Sequence, residues 1–296
     1  MGMHYARDKS RDSWPARPCA CSPQAGGAGA RAHIFIGMRG SLRYVFSMTT
    51  HAAPEPSADW CLFLDVDGTL IDFTQSPQDT RSDVRLNRLL QDVQRSLAGR
   101  IALVSGRSIG RLDELFAPLR FAAAGLHGAE RRSASGRLHR AAIAHADLDP
   151  AREALRAFAA RHPGTRFEDK RVALALHYRG APRFEASARA LVVRLADELG
   201  PAFHVQEGNM VLEIKPSGYT KATAIEAFLA EAPFAGRTPV FVGDDLTDRD
   251  GFRFVEASGG ISVAVGDRVS AQWRIEDPAA VRDWLGRIAA LNEPRR

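Results

Sequence analysis

The stretch CLFLDVDGTLIDF, residues 61–73, interrupts an apolar run with two aspartates and then a Gly-Thr pair. Its beginning, with Trp60 included, is short and continuously apolar, which favours a buried strand that ends at Asp65. Asp67 follows two residues later, where Gly68 allows the backbone to turn sharply. Two carboxylates this close repel each other and cost free energy to desolvate, so the stretch predicts a partner that offsets their charge.

Short apolar runs alternate with segments of helical period from residue 60 onward. The next strands are predicted at IALVS (101–105) and FAAAG (121–125), and later ones at PVFVGD (239–244) and ISVAV (261–265). Alternating strands and helices predict an α/β fold, a Rossmann-like parallel sheet with helices on both faces. In such sheets ligands bind at the carboxyl ends of the strands, near a reversal of strand order.

The middle of the chain has a different pattern. Helical patterns at 150–161 and 184–199 accompany strand-like alternation in RVALALHY (171–178) and NMVLEIKP (209–216). Grouped strands and turn sequences such as ASGR predict an antiparallel α+β insert. The expected segments are therefore a disordered basic leader at 1–57, the first part of the core at 58–129, the insert at 130–216 and the second part of the core at 217–296.

The excess of positive charge belongs to the leader. The chain has 40 Lys+Arg and 35 Asp+Glu, of which residues 1–48 hold seven and two, so residues 49–296 hold 33 of each. Nothing in this neutral body predicts a nucleic-acid partner. The leader lacks periodicity, and it is interpreted as disordered or as an over-extended start before Met48; a basic arm for an acidic partner is the alternative.

The composition is that of an ordinary globular protein, with 45% hydrophobic and 25% charged residues. No apolar run approaches the ~18 residues needed to cross a bilayer, so we expect no membrane association. Three cysteines do not make a disulfide framework, and the pair Cys19 and Cys21 is weak evidence for a metal. A reducing cytoplasm fits this cysteine content best, and we expect a monomer.

A second acidic group follows the strand PVFV, in the sequence GDDLTDRD. It supplies Asp244, Asp245 and Asp248. Acidic loops at the ends of two apolar strands predict a site for a hard cation such as Mg²⁺, which prefers oxygen ligands. The alternative, aspartates that only cap the following helices, explains one such loop more easily than two.

Two further residues fit a phosphate. Ser105 ends a strand before Gly106, so its hydroxyl and the nearby N–H groups can face an anion. Lys221 lies in the first turn of a predicted helix, where a cation opposes the helix dipole, so an anion opposite it would explain its presence. The alternatives are simple helix capping for the serine and a solvated side chain for the lysine.

At this point the motifs resemble a known family. DVDGT, SGR, the helix-start lysine and GDDLTD are similar to the four ordered motifs of the haloacid-dehalogenase superfamily of phosphatases. GLHGAE (125–130), FEDKRVALALHYR (167–179), MVLEIKP (210–216) and GDDLTDRDGF (243–252) resemble the trehalose-6-phosphate phosphatases, over about residues 58–290. One departure is Ala222 after the lysine, where that family often has glycine.

The resemblance implies a Mg²⁺-dependent phosphoric monoester hydrolase of trehalose biosynthesis, which converts trehalose 6-phosphate to trehalose and phosphate. It implies Asp65 as the nucleophile that forms an aspartyl-phosphate and Asp67 as the general acid and base. Ser105 and Lys221 would hold the phosphoryl oxygens. The implied metal site consists of Asp65, Asp67 through its carbonyl, and Asp244, with Asp245 and Asp248 behind them.

The insert resembles the family's cap domain, which closes over the sugar. The implied substrate contacts are Glu168, Lys170, Arg179 and Glu213, with Arg107 and His127 near the crevice. Carboxylates and cationic donors suit sugar hydroxyls. The alternatives are ordinary cross-strand pairing for the cap residues and a structural role for the histidine.

Two other functions remain open on the sequence alone. One is a phosphatase of the same type for another sugar phosphate, such as sucrose phosphate or mannosyl-phosphoglycerate. The other is a catalytically silent domain that binds a sugar phosphate or a synthase partner.

Overall fold

The computed structural model describes residues 53–72, 83–142 and 145–292. Most of the predicted leader, with Cys19 and Cys21, lies outside the described residues. Its last part belongs to the fold, since the carbonyl of Pro54 accepts a hydrogen bond from the Trp284 indole at 2.8 Å.

The order of elements follows the predicted alternation of strands and helices. The strands are β1 Trp60–Leu64, β2 Ile101–Val104, β3 Ala122–Gly125, β4 Glu130–Arg132, β5 Leu138–Arg140, β6 Arg166–Asp169, β7 Leu174–His177, β8 Phe203–Gly208, β9 Val211–Pro216, β10 Thr238–Gly243, β11 Ile261–Val265 and β12 Trp273–Ile275. The helices are α1 Val84–Ser96, α2 Ile109–Leu115, α3 Asp149–Arg161, α4 Glu185–Leu199, α5 Lys221–Leu229, α6 Arg249–Ala257 and α7 Pro278–Ala289.

The larger sheet has eight strands within the described residues, in the order β12-β11-β10-β1-β2-β3-β4-β5. The strands from β12 to β3 run parallel, and β4 and β5 add an antiparallel edge. Strand β1 lies at the centre, and the chain proceeds from it to β2 on one side and returns to β10 on the other. The strand order therefore reverses at β1, where a ligand site is expected.

Alternate residues of β1 enter two different cores. Leu62 and Leu64 pack with apolar residues of α1, α2 and α7 on one face of the sheet. Cys61 and Phe63 pack with α5 and α6 on the other face. Because both faces are covered, every residue of β1 is buried, which explains its continuously apolar sequence. The predicted α/β fold is confirmed.

A second, antiparallel sheet has the order β6-β7-β9-β8. Helices α3 and α4 cover one of its faces and share a core with Leu174 and Leu176 of β7 and with Leu212 of β9. The residues between these point to the opposite face because side chains alternate along a strand. Glu213 lies on that opposite face. The sheet and its two helices are called the cap below.

The structure moves the expected start of the insert. Strands β4 and β5 fall within the range predicted for it, but they pair with β3 in the larger sheet. The ASGR turn therefore joins two strands of the core edge, and the cap begins after Arg140. Alternation along a strand does not reveal which sheet the strand will join, so the sequence pattern placed this hairpin with the wrong partner.

Within the described part of the chain, helices of sufficient length and apolarity to cross a membrane are absent.

Candidate active site

Two predicted acidic loops meet at the carboxyl ends of neighbouring strands. Leu64 of β1 is in register with Val242 of β10, and the Asp65 N–H donates to the Val242 carbonyl at 2.9 Å. Asp65 and Asp244, the residues after these strands, are both buried. With Asp248, each offers a carboxylate oxygen within 4.8 Å of the others.

Lys221 lies inside this acidic cluster. Its ammonium donates to Asp65 Oδ1 at 2.8 Å and to Asp248 Oδ1 at 2.6 Å, and the residue is 3% exposed. The alternative of a solvated lysine is therefore wrong. Thr220 caps helix α5 in reciprocal contact with Thr223, which fixes the helix start that carries the lysine. Ala222 lies in the first turn of that helix, so the missing glycine costs no strain.

Burial and repulsion shift the pKa values of the cluster. Burial raises the pKa of Asp65 well above its usual range, and although Lys221 opposes this rise, Asp248 and Asp244 add to it. Burial and the neighbouring Asp248 raise the pKa of Asp244 to about 7. Three buried carboxylates face the Lys221 ammonium and the half-exposed Arg268, whose Nη1 lies 3.6 Å from Asp244 Oδ2. The remaining excess of negative charge is one that a bound cation would offset.

The donor set fits a hard divalent cation. All three clustered groups are carboxylates, and oxygen ligands are what such cations prefer. Asp248 already accepts from Lys221 through one oxygen and from the N–H groups of Asp244 and Asp245 through the other, at 3.0 and 2.9 Å. It therefore holds the loop, while Asp65 and Asp244 remain the better ligands.

Two of the predicted metal residues lie outside the cluster. Asp245 caps the turn that follows it, since its Oδ1 accepts from the Leu246 N–H at 2.6 Å. The capping alternative describes this side chain well. Asp67 instead meets Arg107, whose Nε and Nη2 donate to the two carboxylate oxygens at 2.7 and 2.5 Å.

The turn after β1 forms as predicted. Gly68 has a φ of +84°, a conformation in which other residues are strained, and its N–H donates to the Ile71 carbonyl at 2.7 Å. Thr69 is buried and donates to Asp244 Oδ1 at 3.3 Å. The turn thus joins the two acidic loops directly.

The GLHGAE segment is hydrogen-bonded to the loop that carries Ser105. The N–H groups of Leu126 and His127 donate to the carbonyls of Arg107 and Ser105 at 2.9 and 3.0 Å. Glu130 is buried and accepts from the Ile109 N–H at 3.0 Å, at the start of α2. Ser105 itself is 1% exposed, and its Oγ accepts from the Arg107 N–H at 3.1 Å.

His127 packs its ring against the backbone of this same loop. A Cβ added to Gly106 would lie 2.7 Å from His127 Nε2, so only glycine fits beside the ring. The histidine adopts a φ of 55°, which is uncommon for residues other than glycine. Burial, Lys215 and Lys170 lower its pKa well below the usual range, so the ring is neutral at physiological pH. It borders the cleft and also supports the loop.

A cleft of about 1660 Å³ opens between the cap and the acidic cluster. The lining includes every predicted catalytic and substrate-contact residue: Asp65, Asp67, Ser105, Arg107, His127, Glu168, Lys170, Arg179, Glu213 and Lys221. Of the acidic loop after β10, Asp245 lines the cleft, and Asp244 and Asp248 lie beneath it.

Polar residues of the cap line this cleft from all four of its strands and from the segments that follow β6 and β7. Lys170 donates to Glu213 Oε2 at 2.6 Å and to the carbonyl of Gly106 at 3.2 Å. It therefore links the cap to the loop after β2 of the larger sheet. Glu213 Oε1 is buried without a hydrogen-bond partner among the described residues. Arg179 donates to the Asn209 carbonyl at 3.0 Å.

His177 is a cleft residue that the sequence analysis did not select. Its Nε2 lies 2.8 Å from Glu168 Oε2, and this hydrogen bond lowers the pKa of Glu168 to about 2 despite the opposing effect of burial. The glutamate therefore stays ionised. Neither periodicity nor spacing marked His177, because its partner Glu168 lies on the neighbouring strand β6.

Comparisons with known proteins point to one family. A family model described as trehalose-phosphatase matches residues 63–283. The trehalose-6-phosphate phosphatase of Escherichia coli K12 is 41% identical over 244 residues, which cover 82% of this chain and 91% of that protein.

Solved structures show the same fold. The crystal structure of a trehalose-6-phosphate phosphatase related protein superposes with a TM-score of 0.67 at 25% identity, and the match covers 78% of this chain and 97% of that one. A haloacid dehalogenase-like hydrolase from Bacteroides thetaiotaomicron shares the fold at 17% identity, with a TM-score of 0.56 over 77% of this chain and 98% of its own. The resemblance to the trehalose-6-phosphate phosphatases is confirmed, and the chain belongs to the trehalose-phosphatase family.

Proposed function

We propose that this protein hydrolyses trehalose 6-phosphate to trehalose and phosphate with the help of Mg²⁺. The observation that carries the proposal is the position of Lys221. Its buried ammonium lies between Asp65 and Asp248, at the floor of a cleft whose other wall presents sugar-compatible groups. A phosphoryl group at this floor would meet a nucleophile and a fixed cation together.

In the first step a carboxylate oxygen of Asp65 attacks the phosphorus atom. The bond between phosphorus and the sugar oxygen breaks, its electron pair stays on that oxygen, and Asp67 supplies the proton. Lys221 and Ser105 hold the phosphoryl oxygens and stabilise the charge spread over them.

In the second step water attacks the phosphorus atom of the aspartyl-phosphate. Asp67, now ionised, takes a proton from the water, and the bond between phosphorus and Asp65 breaks to release inorganic phosphate. The same carboxyl group thus acts as acid and then as base, and it ends each cycle protonated for the next turnover.

The cation would be held by Asp65, by Asp244 and by the backbone carbonyl of Asp67, with Asp245 and Asp248 fixing the loop behind them. When bound, Mg²⁺ supplies positive charge that neutralises the phosphoryl oxygens. The fit rests on the excess of buried carboxylates described above.

The cap residues Glu168, Lys170, Arg179 and Glu213 would bind the sugar hydroxyls. Glu213 supports this role because its unmatched buried oxygen needs a donor, and a sugar hydroxyl is one. Lys170 contacts Glu213 in the cap and the Gly106 carbonyl beside Ser105, so it would lie between the sugar and the phosphoryl group of the substrate. His127 would border the sugar while it supports the loop beneath.

We further propose a monomeric enzyme of the cytoplasm. All groups of the site come from one chain, so the chemistry needs no partner. The buried cysteine Cys61 is a free thiol, which suits a reducing compartment. Sedimentation analysis at assay concentrations would detect a dimer, and cell fractionation would test the compartment.

A phosphate-release assay on a panel of sugar phosphates, with and without a chelator, tests the function. We expect fast turnover of trehalose 6-phosphate, slow turnover of glucose 6-phosphate, sucrose phosphate and mannosyl-phosphoglycerate, and loss of activity with chelator that Mg²⁺ restores. Equal rates on glucose 6-phosphate would refute the substrate. The absence of release from every compound would favour a silent binding domain, and activity unaffected by the chelator would refute the metal.

A further inference from the structure

Arg107 has a partner that sugar recognition does not explain. Its guanidinium forms a two-point contact with the carboxylate of Asp67, at 2.7 and 2.5 Å, and its side chain is 10% exposed. We propose that Arg107 is the positioning residue of Asp67, which it holds in one orientation toward the reacting oxygen. This inference rests on the proposed function, in which Asp67 transfers the proton.

The contact fixes direction as well as charge. A guanidinium is planar and its donors form a rigid fork, so a carboxylate that accepts two of them is held in a defined plane. The Asp67 side chain is 30% exposed and lies on the turn after β1, where the fork restricts rotation about its side-chain bonds. Proton transfer needs heavy atoms within hydrogen-bond distance, so this restriction has a direct chemical effect.

Arg107 is itself held rigidly by the loop that surrounds it. Its N–H donates to Ser105 Oγ at 3.1 Å, and its carbonyl accepts from the Leu126 N–H at 2.9 Å. That carbonyl also lies 2.7 Å from where a Cβ on Gly125 would be, so the backbone is closely packed there. The position of Asp67 is therefore tied to the same loop that carries the phosphate-binding serine.

The test compares two substrates that differ in their need for a proton. The sugar oxygen is a poor leaving group unless it receives a proton. The 4-nitrophenolate of 4-nitrophenyl phosphate keeps the bonding electron pair and leaves without a proton. Arg107→Met removes the fork with little change in length, and Arg107→Lys keeps the charge but offers a single point of contact. Asp67→Asn is the reference variant. Arg194→Met is the matched control, because Arg194 lies on α4 outside the cleft lining and pairs with Glu198 on its own helix.

With trehalose 6-phosphate we expect Arg107→Met to lower kcat by about 100-fold, within the range of general acid–base catalysis, with little change in KM. With 4-nitrophenyl phosphate we expect a rapid burst of about one nitrophenolate per enzyme and then slow turnover. The burst arises because Asp65 is still phosphorylated while water attack lacks a well-placed base. Arg107→Lys should show the same pattern more weakly, and Arg194→Met should match the wild type.

A rise in KM for the sugar phosphate, with kcat and the burst unchanged, would overturn the inference and make Arg107 a sugar ligand. A parallel loss on both substrates without a burst would show a structural role, and it would also overturn the inference. If Arg107→Met fails to fold, Arg107→Lys decides by the same criteria. Full activity of Asp67→Asn would refute the proposed function, whereas the burst pattern in Asp67→Asn alone would refute only the role of Arg107.

Discussion

Single residues at this site carry charges that burial makes costly. Asp65 is 4% exposed and shares Lys221 with Asp248, so each charged group there depends on the others. Breaking a buried pair by removing one partner is usually destabilising because the other charge is left alone. Here Lys221 pairs with two carboxylates, so removing the charge of Asp65 still leaves it paired with Asp248. A change at Asp65 can therefore abolish activity with little loss of stability.

We expect Asp65→Asn to abolish turnover, by roughly 10⁴-fold or more, while the fold remains intact. An amide cannot form the aspartyl-phosphate, but its oxygen still accepts a hydrogen bond from Lys221. Phosphate release and the melting temperature are the two measurements. Asp250→Asn, an exposed position on α6, is the control and should change neither. Activity near that of the wild type in Asp65→Asn would refute the nucleophile.

Lys215 gives a prediction about pH and stability. It is 2% exposed, and burial lowers its pKa from 10.5 to about 8, with Lys221 and Lys170 adding to the effect against Glu213. The folded protein therefore binds this proton less tightly than the unfolded chain does. Below about pH 8 the charged lysine costs the folded state up to about 3 kcal/mol, and the cost disappears as the pH rises from about 8 to 10.5.

We expect Lys215→Met to raise the melting temperature at pH 7, because a flexible apolar side chain of similar length fills the same space without the charge. The difference from the wild type should shrink between pH 8 and 10.5. Thermal unfolding of both proteins across that range is the measurement. A difference that stays constant with pH would contradict the prediction.

At the scale of elements, the GLHGAE segment, which joins β3 to β4, determines the shape of the loop between β2 and α2 that carries Ser105. The contacts run from backbone to backbone, so the loop conformation depends on a neighbouring strand end. Gly125 is the closest point of this packing. A Cβ there would lie 2.7 Å from the Arg107 carbonyl oxygen and 2.8 Å from the Ile109 nitrogen.

We expect Gly125→Ala to lower the free energy of unfolding by about 1–3 kcal/mol, since the backbone must move to admit the methyl group. Turnover should fall by roughly 100-fold if the displacement of Ser105 approaches 1 Å. Gly286→Ala is the matched control, because Gly286 lies inside α7 with open space around it. That variant should be stabilised by about 0.5–1 kcal/mol with unchanged activity. Equal behaviour of the two variants would contradict the packing argument.

The elements show what sequence patterns predict and what they leave out. The continuous apolar runs of β1, β10 and β11 predicted buried parallel strands, and the convergence of such strand ends predicted that Asp65 and Asp244 would meet. The pairing of Arg107 with Asp67 and of His177 with Glu168 carried no such signal. These contacts depend on the exact approach of separate loops and strands, and neither periodicity nor spacing encodes that approach.

At the scale of the whole molecule, the described residues 53–292, with their gaps, contain both sheets and all the predicted site residues. The end of the leader contacts the core: Ala53 packs against apolar residues there, and Pro54 and Glu55 contact α7. The Pro54 carbonyl accepts from Trp284, and Glu55 lies 3.4 Å from Arg287. The positive charge lies mainly before this point, in residues 1–48.

We expect a chain that starts at Met48 to keep its activity and melting temperature, since both the site and the Pro54 contact are retained. A chain that starts at Ala58 should lose about 1–3 kcal/mol of stability, because the buried Trp284 indole loses its acceptor. Steady-state kinetics and thermal unfolding of the three proteins are the measurements. A loss of activity in the Met48 variant would show that the leader contributes to the site.

The unmatched oxygen of Glu213 indicates where an inhibitor should carry a donor. A nonhydrolysable phosphonate analogue with a hydroxyl directed at Oε1 would supply the hydrogen bond that this acceptor lacks. Converting that hydroxyl to a methyl ether would leave Oε1 without a donor and shielded from water, which would cost about 1–3 kcal/mol of binding free energy. A single methyl group would then weaken inhibition on the order of 10-fold or more.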